Sequence, residues 1–382
     1  EPTINFQSEK FKSFLFDFIR LYFFWDEYLG INNVKAILAV HGQYSFAILQ
    51  RIAIHKNIPV VLHAEGKIYK LNKKNIYQHK EFINYSKLFD KIKKDKKKLA
   101  YKAGQSLINK RLGGAVGADS GQTYVSISSF SKKKNNKRVL KKNNKIKILI
   151  STQDYFDSVN VYGPFLFCDF YEWIVFLGKI SEITDYDWYI KDHPKYSGKY
   201  LKFQPFTSKI TKEIIKKYKK IQYLDPNTSH HQIVSEGINY VCTVYGSISF
   251  EYPYFNIPVI TASKNCPTIK YNFNIHSKNK NEYKKTLMNL KKKKIKFNKN
   301  KLREFYYMNF VYHNQNNLLE NYAKFNKIYK NWDLYWSEKF YEFWYKNWSK
   351  KEHEKMYKTI NNFINSKDIC NNIMHTNNEK NY

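Results

Sequence analysis

The sequence predicts an α/β protein made of two parallel-sheet domains followed by an aromatic helical region. Three observations carry this reading. Short apolar runs rich in β-branched residues alternate with helix-length segments, the pattern of parallel strands joined by crossover helices. The runs VKAILAV (34–40) and PVVLH (59–63) form one such group, and IKILI (146–150), YVCTV (240–244) and PVIT (258–261) form another. At 382 residues the chain is long enough for two domains of ordinary size.

The elements follow in order. Glu9 to Tyr28 is a strongly aromatic helix, interrupted by Asp17, Arg20, Asp26 and Glu27, so it reads as amphipathic or buried rather than membrane-spanning. Val34–Val40 is a buried strand, Phe46–His55 a helix and Pro59–His63 the next strand. This βαβ unit leaves His41 and Tyr44 at the carboxyl end of its first strand, where such sheets bind ligands. Ile76–Leu112 is mostly helical and very basic, and the glycine-rich segment Gly113–Gly121 follows. That segment lacks the Lys-Ser/Thr ending of a phosphate-binding P-loop and has no strand before it, so it reads as a connection or a mobile lid. Ser131–Lys145 is a polar, lysine-rich linker. The expected division is a first domain at 1–130, a linker at 131–145, a second domain at 146–315, an aromatic helical region at 316–365 and a disordered polar tail at 366–382.

In the second domain, Ile146–Ile150 is a strand and Ser151–Gly163 a long loop holding Asp154 and Asp157. Asp169–Ile183 is a helix with Trp173, Phe176 and Ile180 turned inward. Asp187–Ile190 is a strand running into Lys191-Asp192-His193-Pro194, and Ser208–Lys220 is a basic helix. Ser229 caps a short helix, His230–Glu236, before the strand Tyr240–Val244. Tyr245-Gly246-Ser247 is a turn, Ser249–Phe255 a helix and Pro258–Thr261 a strand. Glu282–Leu290 and Asn300–Phe310 are further helices. In Asn316–Lys350, Trp332, Trp336, Tyr341, Trp344, Tyr345 and Trp348 interleave with lysines. That composition suits an interfacial membrane helix, though a helix packing its aromatics across both domains is the reading preferred.

Lys plus Arg number 66 against 32 Asp plus Glu, a formal net charge of +34. Such an excess favours anionic partners: nucleic acid, an acidic membrane surface or phosphorylated substrates. AT-rich codon usage accounts for part of it, since Lys, Asn, Ile, Tyr and Phe dominate. The four cysteines, Cys168, Cys242, Cys266 and Cys370, form no CxxC pair, which suits a reducing compartment and argues against a zinc site. No signal peptide and no apolar run of about 18 residues is present, so no spanning helix is expected. The chain starts at Glu1 rather than Met and enters a helix almost at once, which leaves room for a missing N-terminal piece.

Two constellations carry chemistry. In the first, Lys191 offers charge to a phosphate, His193 can donate a hydrogen bond or act as acid or base, and Pro194 fixes the turn that aims them. In the second, Gly246 lets backbone approach a ligand closely, Ser247 and Ser249 can cap the helix and bond an anion, and Glu251 can accept from ribose hydroxyls. Capping alone explains the serines at about 1 kcal/mol, and dipole compensation alone explains Glu251 at roughly 0.3–1 kcal/mol. Together, at the ends of two strands of one domain, they describe half of a ligand site.

Lys191-Asp192-His193-Pro194, then Gly246-Ser247-Ile248-Ser249-Phe250-Glu251, then Ile257-Pro258-Val259-Ile260 resemble a motif series of GT-B glycosyltransferase-like proteins of bacterial surface polysaccharide synthesis, the capsule-synthesis and Kdo-transferase type. The match covers roughly Lys147–Ala262, while the N-terminal half agrees only in its general α/β pattern. The resemblance implies two Rossmann-like domains facing a central cleft. It implies a nucleotide-sugar donor held mainly by the second domain and a glycan or lipid-linked acceptor held by the first. Lys191 and His193 would then contact donor phosphate or a sugar-acid carboxylate. Gly246, Ser247 and Ser249 would line the phosphate site, and Glu251 would hold ribose or base. No metal or other cofactor is expected, because protein cations stabilise the leaving nucleotide. Asp185-Tyr186-Asp187 has DxD spacing but precedes a strand and reads as a turn.

A base near the acceptor hydroxyl is also needed if the reaction inverts. His41 is the first candidate, Asp119 of the glycine-rich segment the second, and Asp154 and Asp157 the third. His230 and His231 read as a helix start. The expected protein is a cytoplasmic glycosyltransferase, soluble or peripheral on the inner face of the plasma membrane. The rivals are a basic nucleic-acid-binding protein, for which no recognisable signature is present, and a non-catalytic scaffold of polysaccharide assembly at an anionic membrane surface.

Overall fold

The structure is a computed structural model, and it describes residues 5–64, 67–77, 81–116, 127–132, 137–155, 157–159, 162–194, 204–291, 296–312, 324–325, 328–329, 334 and 337–371. Its contacts divide the chain into two compact units, Glu1–Glu81 with Tyr312–Tyr382, and Phe82–Val311. Among the described residues no helix is long and apolar enough to cross a membrane.

The first unit opens with α1 (Glu9–Ile31), β1 (Ile37–Ala39), α2 (Phe46–His55), β2 (Val60–Ala64) and β3 (Lys67–Leu71). β1 and β2 pair in parallel, as a βαβ unit requires, and β2 then pairs antiparallel with β3. The expected crossover is present once, and the sheet continues as a hairpin rather than as further βαβ units. Val60, Leu62, Tyr69 and Leu71 bury one face of this sheet against Leu29 of α1 and Ile52 of α2.

The second unit begins with a 3₁₀ turn (Glu81–Asn84), α3 (Tyr85–Asp90) and α4 (Lys94–Leu112). Its sheet holds β4 (Lys147–Ser151), β5 (Asp187–Lys191), β6 (Ile221–Leu224), β7 (Tyr240–Thr243), β8 (Val259–Thr261) and β9 (Asn274–His276). Between them lie α5 (Phe170–Ile183), α6 (Gln204–Ile215), α7 (His230–Ser235) and α8 (Ile248–Glu251), and α9 (Lys280–Met288) and α10 (Lys299–Tyr306) follow. The order across the sheet is β6-β5-β4-β7-β8-β9, and every neighbouring pair is parallel. The chain therefore winds outward from β4 in one direction, returns to β7 beside β4, and winds outward in the other. This is the doubly wound Rossmann order, and it confirms the α/β class with a parallel sheet.

Sequence explains the layering. Parallel strands covered on both faces read as continuous apolar runs. Accordingly Ile148 and Ile150 face the cluster that holds Trp173, Leu177 and Tyr283. The alternate residues Leu149, Tyr189, Val241 and Val259 are buried as well. Asp169 caps α5 by accepting from Glu172 N at 2.7 Å. Phe176, expected inward, is half-buried beside Phe167 and Tyr283.

Two expectations change. Ser249–Phe255 is not one helix: α8 has four residues and gives way to a 3₁₀ turn at Tyr252–Phe255. Pro253 removes a backbone donor there, and Asn256, at φ 59°, ends the turn in the left-handed region. The lysine-rich stretch 131–145 lies inside the second unit. Its Val139 and Leu140 backbone amides both donate to Glu236 Oε2, at 2.9 and 2.7 Å, and Leu140 is buried. With Arg138 Nη2 donating to the Glu236 carbonyl at 2.8 Å and Gln232 Nε2 to the Lys137 carbonyl at 3.0 Å, these bonds tie the stretch to α7.

The chain then returns to the first unit. Helices Glu338–Lys346 and Lys350–Asn365 precede β10 (Cys370–Asn371), which pairs antiparallel with β3. Residues 366–371, expected within the disordered tail, are thus part of the fold. Phe363 packs on Val61 and Ile68, the sheet face opposite α2.

α4 crosses α10 so closely that a Cβ at Gly104 would collide with the Arg303 carbonyl oxygen. Alanine normally favours a helix over glycine by about 1 kcal/mol. At this crossing Gly104→Ala should instead destabilise the protein by about 1–3 kcal/mol, read as a lower urea midpoint. An unchanged or raised midpoint would show that the helices are not in contact there.

Candidate functional site

β4, β5 and β7 are side by side, so the loops after them are side by side too. Thr152 and Gln153 follow β4, Asp192, His193 and Pro194 follow β5, and Val244 to Ser247 follow β7. The winding reverses between β4 and β7, and a crevice outside such a switch point is where these sheets bind ligands.

Asp192 fixes the end of β5. Its buried carboxylate accepts from Thr152 Oγ1 at 3.0 Å, Thr211 Oγ1 at 2.7 Å and Tyr223 Oη at 2.9 Å. Burial holds its pKa above the usual carboxylate range, against these hydrogen bonds. The four residues come from β4's loop, β5's loop, α6 and β6, so one carboxylate ties the rim together.

Lys191, the last residue of β5, is 2% exposed. Among the described residues its ammonium makes no hydrogen bond or ion pair. Burial lowers its pKa from 10.5 to about 8, outweighing the opposing pull of Asp192, Asp225 and Glu251. A buried ammonium without direct partners is costly, and an entering anion would relieve that cost.

Arg111 in the last turn of α4 completes the cluster. Its Nε donates to Glu251 Oε1 at 2.5 Å and its Nη2 to Ser247 Oγ at 3.0 Å. The guanidinium lies 5.8 Å from the Phe250 ring centre. Glu251, expected on a ribose, is instead engaged by Arg111, and Ser247 presents its oxygen to the same cation.

The histidines add to this field. His193 Nδ1 donates to the Pro194 carbonyl at 3.2 Å. Burial, with Lys191 and Arg111 nearby, lowers its pKa to about 4. His230 is buried, with Nδ1 2.6 Å from Tyr252 Oη. Burial and the same cations hold its pKa well below 6.5. His231 Nε2 donates to the Leu112 carbonyl at 2.6 Å and so ties α7 to the end of α4. The pair does start a helix, and His230 also belongs electrostatically to the Lys191 cluster.

Gly246 is constrained by close approach. Its amide donates to Thr243 Oγ1 at 3.3 Å, and a Cβ would sit 2.8 Å from that oxygen and 3.9 Å from Gln153 Nε2. Gln153 Oε1 is buried without a hydrogen-bond partner. Ser249 is fully buried. Its carbonyl accepts from Asn274 Nδ2 at 2.6 Å, and its hydroxyl has no partner.

Of the remaining candidates, His41 lies in the first unit just after β1, where its Nδ1 accepts from Gln43 N at 3.2 Å. Its ring stacks on Tyr44 at 5.5 Å, and Tyr44 itself has φ 56°. Asp119 lies outside the described residues. Asp154 accepts from Thr207 Oγ1 of α6 at 3.1 Å, tying its loop to that helix, and Asp157 accepts from Ser158 N at 2.7 Å within the loop. Asp185 pairs with Lys145, and Asp187 opens β5, at the strand end opposite Lys191.

Sequence reasoning missed Arg111, which lies 140 residues from Glu251. One signal was available: only five of the 66 basic residues are arginine, and arginine is the cation suited to a forked, buried pair.

No protein-family model matches the chain, and no curated protein matches it. Solved structures similar to it include the following two. One is a UDP-GlcNAc 2-epimerase of Methanocaldococcus jannaschii in complex with UDP-GlcNAc and UDP. It is 13% identical, over 75% of this chain and 78% of that one, with a TM-score of 0.29. The other is KpsC, a beta Kdo 2,4 transferase of Thermosulfurimonas dismutans. It is 10% identical, over 72% of this chain and 78% of that one, with a TM-score of 0.40. Scores at this level decide nothing about activity, and the fold class rests on the strand order itself.

Replacing Lys191 by Met should stabilise the ligand-free protein by about 1–4 kcal/mol, because an unpaired buried charge is exchanged for an apolar side chain of similar length. The pH dependence has a definite sign. The folded pKa, about 8, lies below the usual 10.5, so unfolding takes up protons between those values. The wild type's deficit relative to Lys191→Met should be full below about pH 8 and should close as pH rises to 10.5. Urea titrations of both proteins across that range provide the check. A deficit independent of pH would mean that Lys191 is not buried as a charge.

Proposed function

We propose that the chain is a glycosyltransferase that moves a sugar from a nucleotide-sugar donor to a surface polysaccharide or related glycan. The observation that carries this reading is the buried, unpartnered Lys191 ammonium beside Arg111, His193 and His230, at the carboxyl edge of a doubly wound sheet. That environment suits a phosphate group. Its residues include both halves of the motif series that resembles the GT-B capsule-synthesis type.

In the proposed reaction an acceptor hydroxyl oxygen attacks the anomeric carbon. The bond from that carbon to the donor phosphate oxygen breaks, and its electron pair leaves with the phosphate. Lys191 and the Arg111–Ser247 pair offset the developing charge. His193 is neutral at pH 7, with Nδ1 donating to Pro194. Phosphate binding would favour its protonated form and turn a repulsive pair of cations into an attractive set. The proposed general base is His41, which takes the acceptor proton. Protein cations supply the stabilisation, so the proposed displacement is independent of metal. The acceptor is a glycan or a lipid-linked saccharide.

Calorimetry with UDP-, CMP-, GDP- and CDP-linked sugars tests the donor half. One of these should bind, and His193→Ala and Ser247→Ala should each weaken it at least tenfold, with Lys191→Met abolishing it. If none binds, or if the variants bind as the wild type does, the assignment is wrong. Binding without sugar transfer to any acceptor would favour a scaffold over an enzyme.

A further inference from the structure

The side chains that follow β4 are bonded almost entirely to one side of it. Thr152 Oγ1 donates to Asp192 Oδ1 at 3.0 Å, Asp154 accepts from Thr207 Oγ1 at 3.1 Å, and Tyr155 Oη lies 3.2 Å from Thr211 Oγ1. All of these reach the β5 loop or α6. Gln153 stands on the other side, where the sheet order places β7. Its Nε2 is 3.9 Å from the point where a side chain on Gly246 would begin. Among the described residues its amide makes no hydrogen bond, and its Oε1 is buried. A buried carbonyl oxygen without a donor opposes folding, and native proteins keep few of them.

The cations at this edge ask for the opposite chemistry. The Lys191 ammonium and the Arg111 guanidinium have hydrogens to give and no lone pair to offer. A phosphate diester answers both of them, because its oxygens only accept. It leaves Gln153 Oε1 without a donor. The ligand that completes the edge therefore carries a hydrogen-bond donor next to its anion. An amide suits that ligand better than a carboxylate would, since it accepts without a charge to offset Lys191. The last torsion of a glutamine side chain is broad and roughly two-fold, so Oε1 turns toward the crevice at little cost. A nucleotide sugar has hydroxyls on both sides of its phosphate, on the ribose and on the sugar.

We propose that Gln153 sets the specificity of this site, its Oε1 accepting from a ligand hydroxyl next to the phosphate. The inference rests on the donor-site reading above. It assigns a residue that lies outside both motifs, and it gives the site a means of telling a hydroxylated ligand from a bare anion.

Calorimetry on the full chain compares the wild type with Gln153→Met, which keeps the length of the side chain and removes its acceptor. The probes are sulfate, which has no hydrogen at neutral pH, the nucleotides UDP, CMP, GDP and CDP, and the sugars linked to each. Sulfate should bind both proteins within twofold. The linked sugar that the wild type binds should bind the variant at least tenfold more weakly. If its nucleotide alone keeps its affinity for the variant, the hydroxyl belongs to the sugar. If the nucleotide weakens as much, the hydroxyl belongs to the ribose, and the 2′,3′-dideoxy nucleotide should then bind both proteins alike. The thermal midpoint of the variant should be unchanged or raised, because an orphaned oxygen has been removed. The inference is overturned if the variant binds every probe as the wild type does, which would leave Oε1 to water alone. It is also overturned if sulfate weakens as much as the linked sugar, if the dideoxy nucleotide still weakens, or if the midpoint falls. A wild type that binds no linked sugar overturns the donor-site reading and this inference with it, whereas tight binding by both proteins overturns this inference only.

Discussion

One buried carboxylate, Asp192, gathers the side chains at the rim of the large sheet around β5. Asp192 accepts from residues of three other segments and so ties the loop after β5 to β4's loop, α6 and β6. Its partners are neutral hydroxyls, so its charge is stabilised without being cancelled. A salt bridge from Lys191 to Asp192 would have neutralised both. The hydroxyls leave the ammonium uncommitted, one residue away, at the carboxyl end of β5.

The site is thus electrostatically unfinished. Lys191 is buried without a direct partner, His193 and His230 are held neutral by their surroundings, and only Arg111 is matched, through Glu251. Protein interiors rarely keep such an arrangement for stability, because a buried unpaired charge opposes folding. Sites built to bind or transform anions keep it routinely. Gln153 Oε1, buried without a partner next to Gly246, adds an acceptor at the same edge.

Much of this was legible in the sequence, and the legible parts share a cause. β4, β5 and β7 are continuous apolar runs with turn residues behind them, so strand and loop identity followed from local chemistry. Ser229 caps α7 as read, because capping is decided within three residues. Lys191 and His193 were found because they sit directly behind a strand. Arg111 was not, because its role is set by Glu251, far along the chain, and its own helix reads as an ordinary basic face. The same limit hid β10, whose two residues are held by pairing with β3 and not by any pattern of their own. The reading of 131–145 as a linker weighed its many lysines, whereas its attachment is made by backbone groups, from Ser131 to Lys141, that no sequence pattern marks.

The outward winding from β4 bears on how the domain assembles. β4, β5 and β6 are neighbours in both sequence and space, whereas β7 must find β4 from about ninety residues away, around two finished strands. Loop closure of that length delays the second half of the sheet relative to the first. The charges that act on the Lys191 ammonium come from both sides of that gap, Asp192 and Asp225 from the chain before β7 and Glu251 from the chain after it, so its electrostatic setting is complete only once β7 has joined β4.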